Sequence, residues 1–327
     1  MTDLVLMTLI KGIILIVILM LMAAYMTFFE RVLLARFQLR LGPQRVGPFG
    51  LLQPIADGIK LLCKERFQPK NVDVFVYWLA PALSMFTALF AFVLIPIGGT
   101  VTIAGHSIHL YIADVNAGIL LLLAFSSLAV YGVVLAGWSS NDRYSLLGGL
   151  RGTAQMISYE IPMTLSLLTV IVSSGTLSLT EIVSLQRNHW FIWTNPISFL
   201  IYFITAFAET NRSPFDLPEA EQELTGGYHT EYGGLKFALF FLGEYINILA
   251  VSAIAVTLFL GGWLGPWDLP VVWFVVKLSV FFFLFVWVRA TMARFRYNQL
   301  LAFSWKILLP IAVINFLVTT FFMIVFG

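Results

Sequence analysis

Apolar runs of membrane-crossing length recur along the chain, at about 4–29, 74–97, 116–137, 154–174, 191–208, 237–260, 270–288 and 303–326. Roughly 20 consecutive apolar residues cross a bilayer as a helix, and the fifth run is the shortest. Helices satisfy their own backbone polar groups in lipid. The pattern therefore predicts an all-α polytopic membrane protein with eight transmembrane helices, a single integral membrane domain over 1–327. No internal repeat, low-complexity tract or soluble domain stands out. One segment has a different rhythm. After "LGPQRVGP", whose prolines and glycines fix a rigid loop, Leu51, Leu52, Ile55, Ala56, Ile59, Leu62 and Cys63 repeat at helical spacing. Gln53, Asp57, Lys60 and Lys64 fall elsewhere on the wheel. Too short and too charged to span, 50–65 is predicted as an amphipathic helix in the headgroup plane. It serves either as an anchoring or packing helix, or as one wall of an entrance for a lipid-soluble ligand.

Composition agrees with that pattern: 60% of residues are hydrophobic and 11% charged, which excludes an ordinary water-soluble domain. A single cysteine, Cys63, excludes an internal disulfide, a cysteine-ligated zinc site and a cysteine-held iron–sulfur cluster. The histidines have no HExxH spacing, His106 and His109 are expected to flank a short loop, and no phosphate-binding glycine motif occurs. No metal, nucleotide or flavin of its own and no nucleic-acid partner are expected. The first apolar run is too long for a signal peptide and lacks an A-x-A site, so it is expected to stay as an uncleaved span.

Charge placement adds orientation. Sixteen of the nineteen lysines and arginines fall in the odd-numbered loops or their helix edges. The positive-inside rule puts those loops in the cytoplasm and both termini outside, in a multi-pass membrane protein. Arg36, Arg40 and Arg45 suit anionic lipid headgroups or a partner protein, or equally a ligand.

The third of these loops breaks the rule. "AETNRSPFDLPEAEQELTGGYHTEYGG" carries Glu209, Asp216, Glu219, Glu221, Glu223 and Glu231, six of the chain's seventeen acids, against one arginine. "PEAEQEL" is predicted as about two helical turns, with Glu219 and Glu223 on one face and Asp216 capping the start. First-turn acids suit the helix dipole, which explains part of the acidity. Two carboxylates about 5 Å apart in partly desolvated surroundings repel by roughly 3 kcal/mol, or about two pKa units. A cluster removed from water thus shares protons near neutral pH, whereas an exposed one is merely solvated. Phe215, Leu217, Leu224, Tyr228 and Tyr232 argue against free exposure.

Further charges interrupt the spans: Glu160 nine residues past Arg151, Glu244 eight past Lys236, and Lys277 deeper still. Such a charge costs roughly 2.5–3.5 kcal/mol at a helix centre. Pro162, after Glu160, favours a kink. These residues form either a structural buried pair with an extra acid or a proton path from the cytoplasmic side.

"GPQRVGPFGLLQPIADGIKL", "GWSSNDRYSLLGGLRGTAQMISYE", the acidic stretch and "FFLGEY" together resemble one membrane-subunit family of proton-pumping NADH:quinone oxidoreductase, respiratory complex I. It is the bacterial-type family whose mitochondrial counterpart is NADH dehydrogenase subunit one. The resemblance spans essentially the whole chain. It implies a membrane subunit of that enzyme, forming much of a quinone chamber and coupling quinone reduction to proton translocation. Quinone is then the substrate, while iron–sulfur clusters, FMN and NADH belong to partner subunits. Carried over, Asp216, Glu219, Glu221 and Glu223 are acidic-loop members, and Glu160, Glu209 and Glu244 are buried carboxylates, with Glu231 and Tyr232 beside them. Glu30, Arg31, Arg40, Arg212, Arg289 and Phe215 are implied in the chamber or in anchoring the loop, and Lys277 in a deeper hydrophilic axis. Implied partners are the peripheral quinone-module subunits, neighbouring membrane-arm subunits and lipid. A stand-alone cation or proton transporter is one alternative. A homologous anchor subunit of a membrane-bound hydrogenase or formate hydrogenlyase is the other.

Overall fold

The structure, a computed structural model, describes residues 2–65, 67–70, 72–103, 106–219, 221–267 and 269–326. Among them, seven helices are long and apolar enough to cross a membrane. They are α1 (Thr2–Phe37), α3 (Val74–Leu94), α4 (Gly118–Ser139), α5 (Arg143–Ser174), α10 (Leu235–Phe259), α11 (Pro270–Thr291) and the continuous α12–α13 rod (Tyr297–Phe303 and Leu309–Phe326). The fifth predicted run is split. A short α7 (Phe191–Thr194) ends at Asn195, and α8 (Pro196–Glu209) follows with only 14 residues. Pro196 pushes the residue before it away from helical geometry, which accounts for the break. Shorter elements are α2 (Gln53–Cys63), α6 (Leu179–Leu185) and α9 (Glu221–Leu224).

Three local expectations are corrected. The connection between α3 and α4 holds a small antiparallel hairpin, β1 (Thr100–Ile103) and β2 (His106–His109), with Thr100 opposite His109. His106 and His109 thus lie on one strand, three apart, rather than around a loop. The long second polar loop is reduced to a tight turn. Asp142 accepts from the amides of Tyr144 (2.9 Å) and Ser145 (3.0 Å) and starts α5 eight residues before Arg151. The glycines of this stretch serve close packing. A Cβ on Gly149 would meet the Gly137 Cα of α4 at 3.3 Å, and one on Gly152 would meet Pro218 at 2.8 Å. Small residues let membrane helices approach in this way. α5 also runs on through Pro162 to Ser174. Lastly, "PEAEQEL" makes one turn, α9, instead of two.

The core is built around α10, where Ile246, Ala253, Val256, Leu258 and Phe259 are fully buried against α1, α3, α8 and α11. A second cluster (Tyr77, Val133, Met156, Tyr228, Tyr232 and Phe240) sits beneath the acidic loop. α1 and α13 lie outermost and expose long apolar faces, as helices do whose solvent is lipid.

Candidate functional site

The acidic loop is folded down onto the helix ends rather than held out in solvent. Pro214 and Pro218 restrict the residues before them to extended geometry, so the chain turns sharply and returns. Tyr228 N donates to Pro218 O at 3.3 Å, and Ser145 Oγ to Tyr228 O at 2.9 Å. Gly227, at φ 62°, makes that return possible, since a Cβ there would sit 1.6 Å from Pro218 O. Gln155, buried on α5, pins the other arm through Nε2, which donates to Ala208 O (2.9 Å) and Phe215 O (2.7 Å). Phe215 is itself buried between Tyr159 and Phe295. Arg294 Nη2 donates to Asp216 O.

That folding delivers Arg212 into a buried ionic cluster. Its Nε lies 2.6 Å from Glu244 Oε1 on α10, and its Nη1 lies 3.3 Å from Glu30 Oε1 on α1. Arg289 of α11 pairs with the same Glu30 oxygen. Tyr245 OH donates to Glu30 Oε2 at 2.5 Å, and the Arg212 guanidinium stacks 4.5 Å from the Tyr245 ring centroid. Glu30 is 4% exposed and Arg212 8%, so both charges depend on each other and on these partners. Burial by itself would lower the Arg212 pKa, but Glu244 and Glu30 outweigh it and hold the guanidinium firmly charged. Glu219 faces the same cluster. Burial, reinforced by Glu244 and Asp216, pushes its carboxyl well above the usual range, against the pull of Arg212 and Arg289.

Beyond this cluster lies Glu209, at the end of α8 and 3% exposed. Its Oε2 has no hydrogen-bond partner among the described residues. Two cavities of about 40 Å³ each touch Glu209. One is also lined by Glu244, Asn247 and Tyr228, the other by Asn247, Thr87 and Ser126. Each has room for at least one water. Glu160 on α5 is within electrostatic reach of Glu209 and accepts from Ser127 of α4. The order across the molecule is therefore Asp216 and Glu219, then Arg212 with Glu30 and Glu244, then Glu209, then Glu160.

The remaining expected residues lie apart from this line. Glu223 is exposed and pairs with Arg151 at 2.8 Å, so Glu219 and Glu223 share no face. Asp216 precedes α9 by five residues and does not cap it. The side chain of Glu221 lies outside the described residues. Tyr232 stacks on Tyr77 at 4.2 Å and bonds Ser139 at 3.0 Å. Tyr77 OH donates to the backbone of Glu231 at 2.6 Å, and Lys236 Nζ lies 4.1 Å from the Tyr77 ring, forming a second anchor for the loop. Burial drives the His229 pKa down to about 4 and that of Tyr228 well up. Arg31 bridges Asp57 at 2.7 Å and ties α2 to α1. Arg40 is exposed, and its side chain bonds only that of Gln38 among the described residues. Lys277 is not near the carboxylates. Its ammonium donates to the carbonyls of Leu260 (2.6 Å), Gly262 (2.9 Å) and Leu264 (2.7 Å), capping the far end of α10.

Sequence reasoning missed Gln155, Tyr245, Asn247, Ser127 and Arg294. Tyr245 adjoins Glu244 in "FFLGEY", and a polar Gln155 between glycines and a membrane run was a usable signal. Ser127 and Arg294 had none, because their roles depend on contacts 33 and 78 residues away.

A family model described as NADH dehydrogenase matches residues 10–320. The chain is 75% identical over 303 residues, covering 93% of both chains, to a protein of Protochlamydia amoebophila named as the H-type subunit of NADH-quinone oxidoreductase. It is 54% identical over 298 residues, 91% of each chain, to a second H-type subunit of that enzyme from Geobacter sulfurreducens. A protein of Thermomicrobium roseum named as the same NADH-quinone oxidoreductase component is 51% identical over 314 residues, covering 93% of this chain and 92% of its own.

Proposed function

From the premise that this chain belongs to the NADH dehydrogenase family, as a membrane subunit of NADH-quinone oxidoreductase, we propose that it encloses much of the quinone chamber and couples quinone reduction to proton translocation. The observation that carries the coupling is the succession of carboxylates from half-buried Glu219 through buried Glu30, half-buried Glu244 and buried Glu209 to half-buried Glu160, with two small cavities at Glu209. Intramembrane acids are retained where they pair, face the bundle interior or line water, and these do all three. The chamber lies where α1, α2 and α10 meet below the acidic loop. The exposed apolar residues Ile55, Ile59 and Leu62 of α2 support a wall for an isoprenoid tail.

Reduction of a quinone to its quinol consumes two electrons and two protons, so the chamber gains negative charge whenever electrons arrive ahead of protons. Arg212 and Arg289 feel that charge directly. A shift of Arg212 towards the chamber weakens its hold on Glu244 and raises the proton affinity of that carboxylate. Glu244 then draws on Glu219, and the change passes to Glu209 and Glu160 across the water-sized gaps. The electrons come from iron–sulfur clusters, FMN and NADH in partner subunits. Peripheral quinone-module subunits cover the acidic-loop face, and antiporter-like membrane subunits take up the signal beyond Glu160. The positive-inside rule supports a bacterial cytoplasmic membrane with both termini in the periplasm.

Glu160→Gln and Glu244→Gln in the assembled complex test the coupling. Each is expected to cut proton pumping and NADH:quinone turnover several-fold while assembly stays normal. Pumping and turnover at the wild-type level in a normally assembled variant would remove that residue from the relay.

A further inference from the structure

The most spacious of the described cavities away from the relay is apolar. It measures about 730 Å³ and lies between α8, the end of α11 and the α12–α13 rod. Phe203, Phe207, Val288 and Phe303 make its walls, and Pro214 with Phe215 of the acidic loop form its roof. Its polar lining is sparse. The Tyr159 hydroxyl is already spent on Leu300 O at 2.9 Å, which leaves Gln299 and Lys306.

Lys306 is unusual in position and in company. It sits in the apolar α12–α13 rod, at the centre of a five-residue π-turn, Ser304–Leu308. Such turns are rare and cluster at functional positions. The lysine is exposed and has neither a hydrogen bond nor an ion pair among the described residues. The turn itself is locked: Ser304 Oγ donates to Ser158 O at 2.6 Å, and Trp305 Nε1 to Ser158 Oγ at 3.1 Å. The backbone that carries Lys306 is thus held at a fixed depth, with the lysine lining the cavity.

That depth is readable. From Tyr297 to Lys306 is about 14 Å along a helix. The whole rod is about 45 Å long, against a hydrocarbon core of roughly 30 Å. Lys306 therefore lies about one helical turn inside the core on the acidic-loop side, within reach of the phosphate layer for a lysine that snorkels. Trp305, half exposed beside it, is the aromatic type that marks this boundary. A bare ammonium here needs an anion from outside the chain. A carboxylate on a neighbouring polypeptide helix would need no hollow beside it, whereas a lipid brings an anion at this level and a chain to fill one. Basic pockets between transmembrane helices hold anionic lipid headgroups in this manner.

The geometry points to a specific site for one anionic phospholipid of the leaflet on the acidic-loop side, its phosphodiester on Lys306 and one acyl chain in the 730 Å³ cavity. The tail of that lipid packs against Pro214 and Phe215, so it braces the turn that carries Asp216.

Lipid retention by the purified whole complex tests this, and the lipid readout does not depend on the relay. After washing in mild detergent, mass spectrometry is expected to find one more tightly held anionic phospholipid per complex in the wild type than in Lys306→Gln or in the cavity-filling Ala302→Phe. Lys306→Arg is expected to keep it. Delipidated wild type is expected to regain NADH:quinone turnover with phosphatidylglycerol vesicles and not with phosphatidylcholine vesicles, and Lys306→Gln to respond equally poorly to both. Equal retention in wild type and Lys306→Gln overturns the assignment. If the variants fail to assemble, a density map of the wild-type complex decides: a headgroup on Lys306 with a chain in the cavity upholds the site, and a partner helix, a quinone or an empty cavity overturns it.

Discussion

Arg212 holds two buried carboxylates at once, Glu30 and Glu244, and no other described cation touches both. Removing it leaves those charges uncompensated, a loss of the kind that costs about 3–5 kcal/mol. Arg212→Ala is therefore expected to lower the melting temperature and the yield of assembled complex sharply. Arg212→Lys is expected to recover little, because one ammonium cannot bridge two carboxylates as a planar fork does. Adding Glu30→Gln to Arg212→Ala is expected to restore part of the loss, which a double-mutant cycle measures. Glu219 sets the pH behaviour of the loop. Its folded pKa lies above the ordinary 4.5, so its contribution to stability is full below 4.5 and is lost as pH rises through the folded value. His229 acts at the other limit. With a folded pKa near 4 against 6.5 in the unfolded chain, it costs stability as pH falls from 6.5 towards 4. Hydrogen exchange of residues 212–230 in the assembled complex, corrected for intrinsic rates, is expected to speed up as pH rises above 4.5 in the wild type and to lose that dependence in Glu219→Gln.

At the scale of elements, backbone clearance decides which substitutions the fold tolerates. Gly227 and Gly175 both have positive φ, 62° and 69°, but only Gly227 is crowded. Gly175→Ala meets open space and is expected to cost only the left-handed strain of about 1–2 kcal/mol. Gly227→Ala drives a methyl into Pro218 O and is expected to unseat the acidic loop and abolish assembly, read as loss of the complex on native gels. The α10–α11 corner gives a contrasting case. Lys277 satisfies three carbonyls at the end of α10, and charged hydrogen bonds of this type contribute about 1.5–3 kcal/mol each. Lys277→Met is expected to lower thermal stability while leaving the ratio of protons pumped per NADH unchanged in the complex that assembles.

For the whole molecule, the exposed apolar surface outside the spans marks what must be covered in the assembly. Leu39, Leu41 and Phe49 are 96%, 80% and 87% exposed, beside the exposed face of α2 and among arginines. An apolar patch of this kind with a charged rim suits a protein partner. Phe49→Asp is expected to release the peripheral arm on size-exclusion chromatography while the membrane arm stays intact. Hydropathy alone located the seven helices long and apolar enough to cross a membrane among the described residues, because a bilayer demands about 20 apolar residues wherever it is crossed; the eighth predicted run, the fifth along the chain, holds only the 14-residue α8. The helical period of 50–65 likewise predicted α2 (Gln53–Cys63), since an amphipathic helix writes its two faces into its pattern. The acids of the site were visible as charges in costly surroundings. Their partners were not. Whether Glu223 joins Glu219 or Arg151, whether Lys277 joins the carboxylates or three carbonyls, and whether the glycines of α5 make a loop or a contact all depend on segments distant in sequence. Local pattern sets which groups must leave water. Only the folded chain decides which opposite charge, carbonyl or cavity each of them meets.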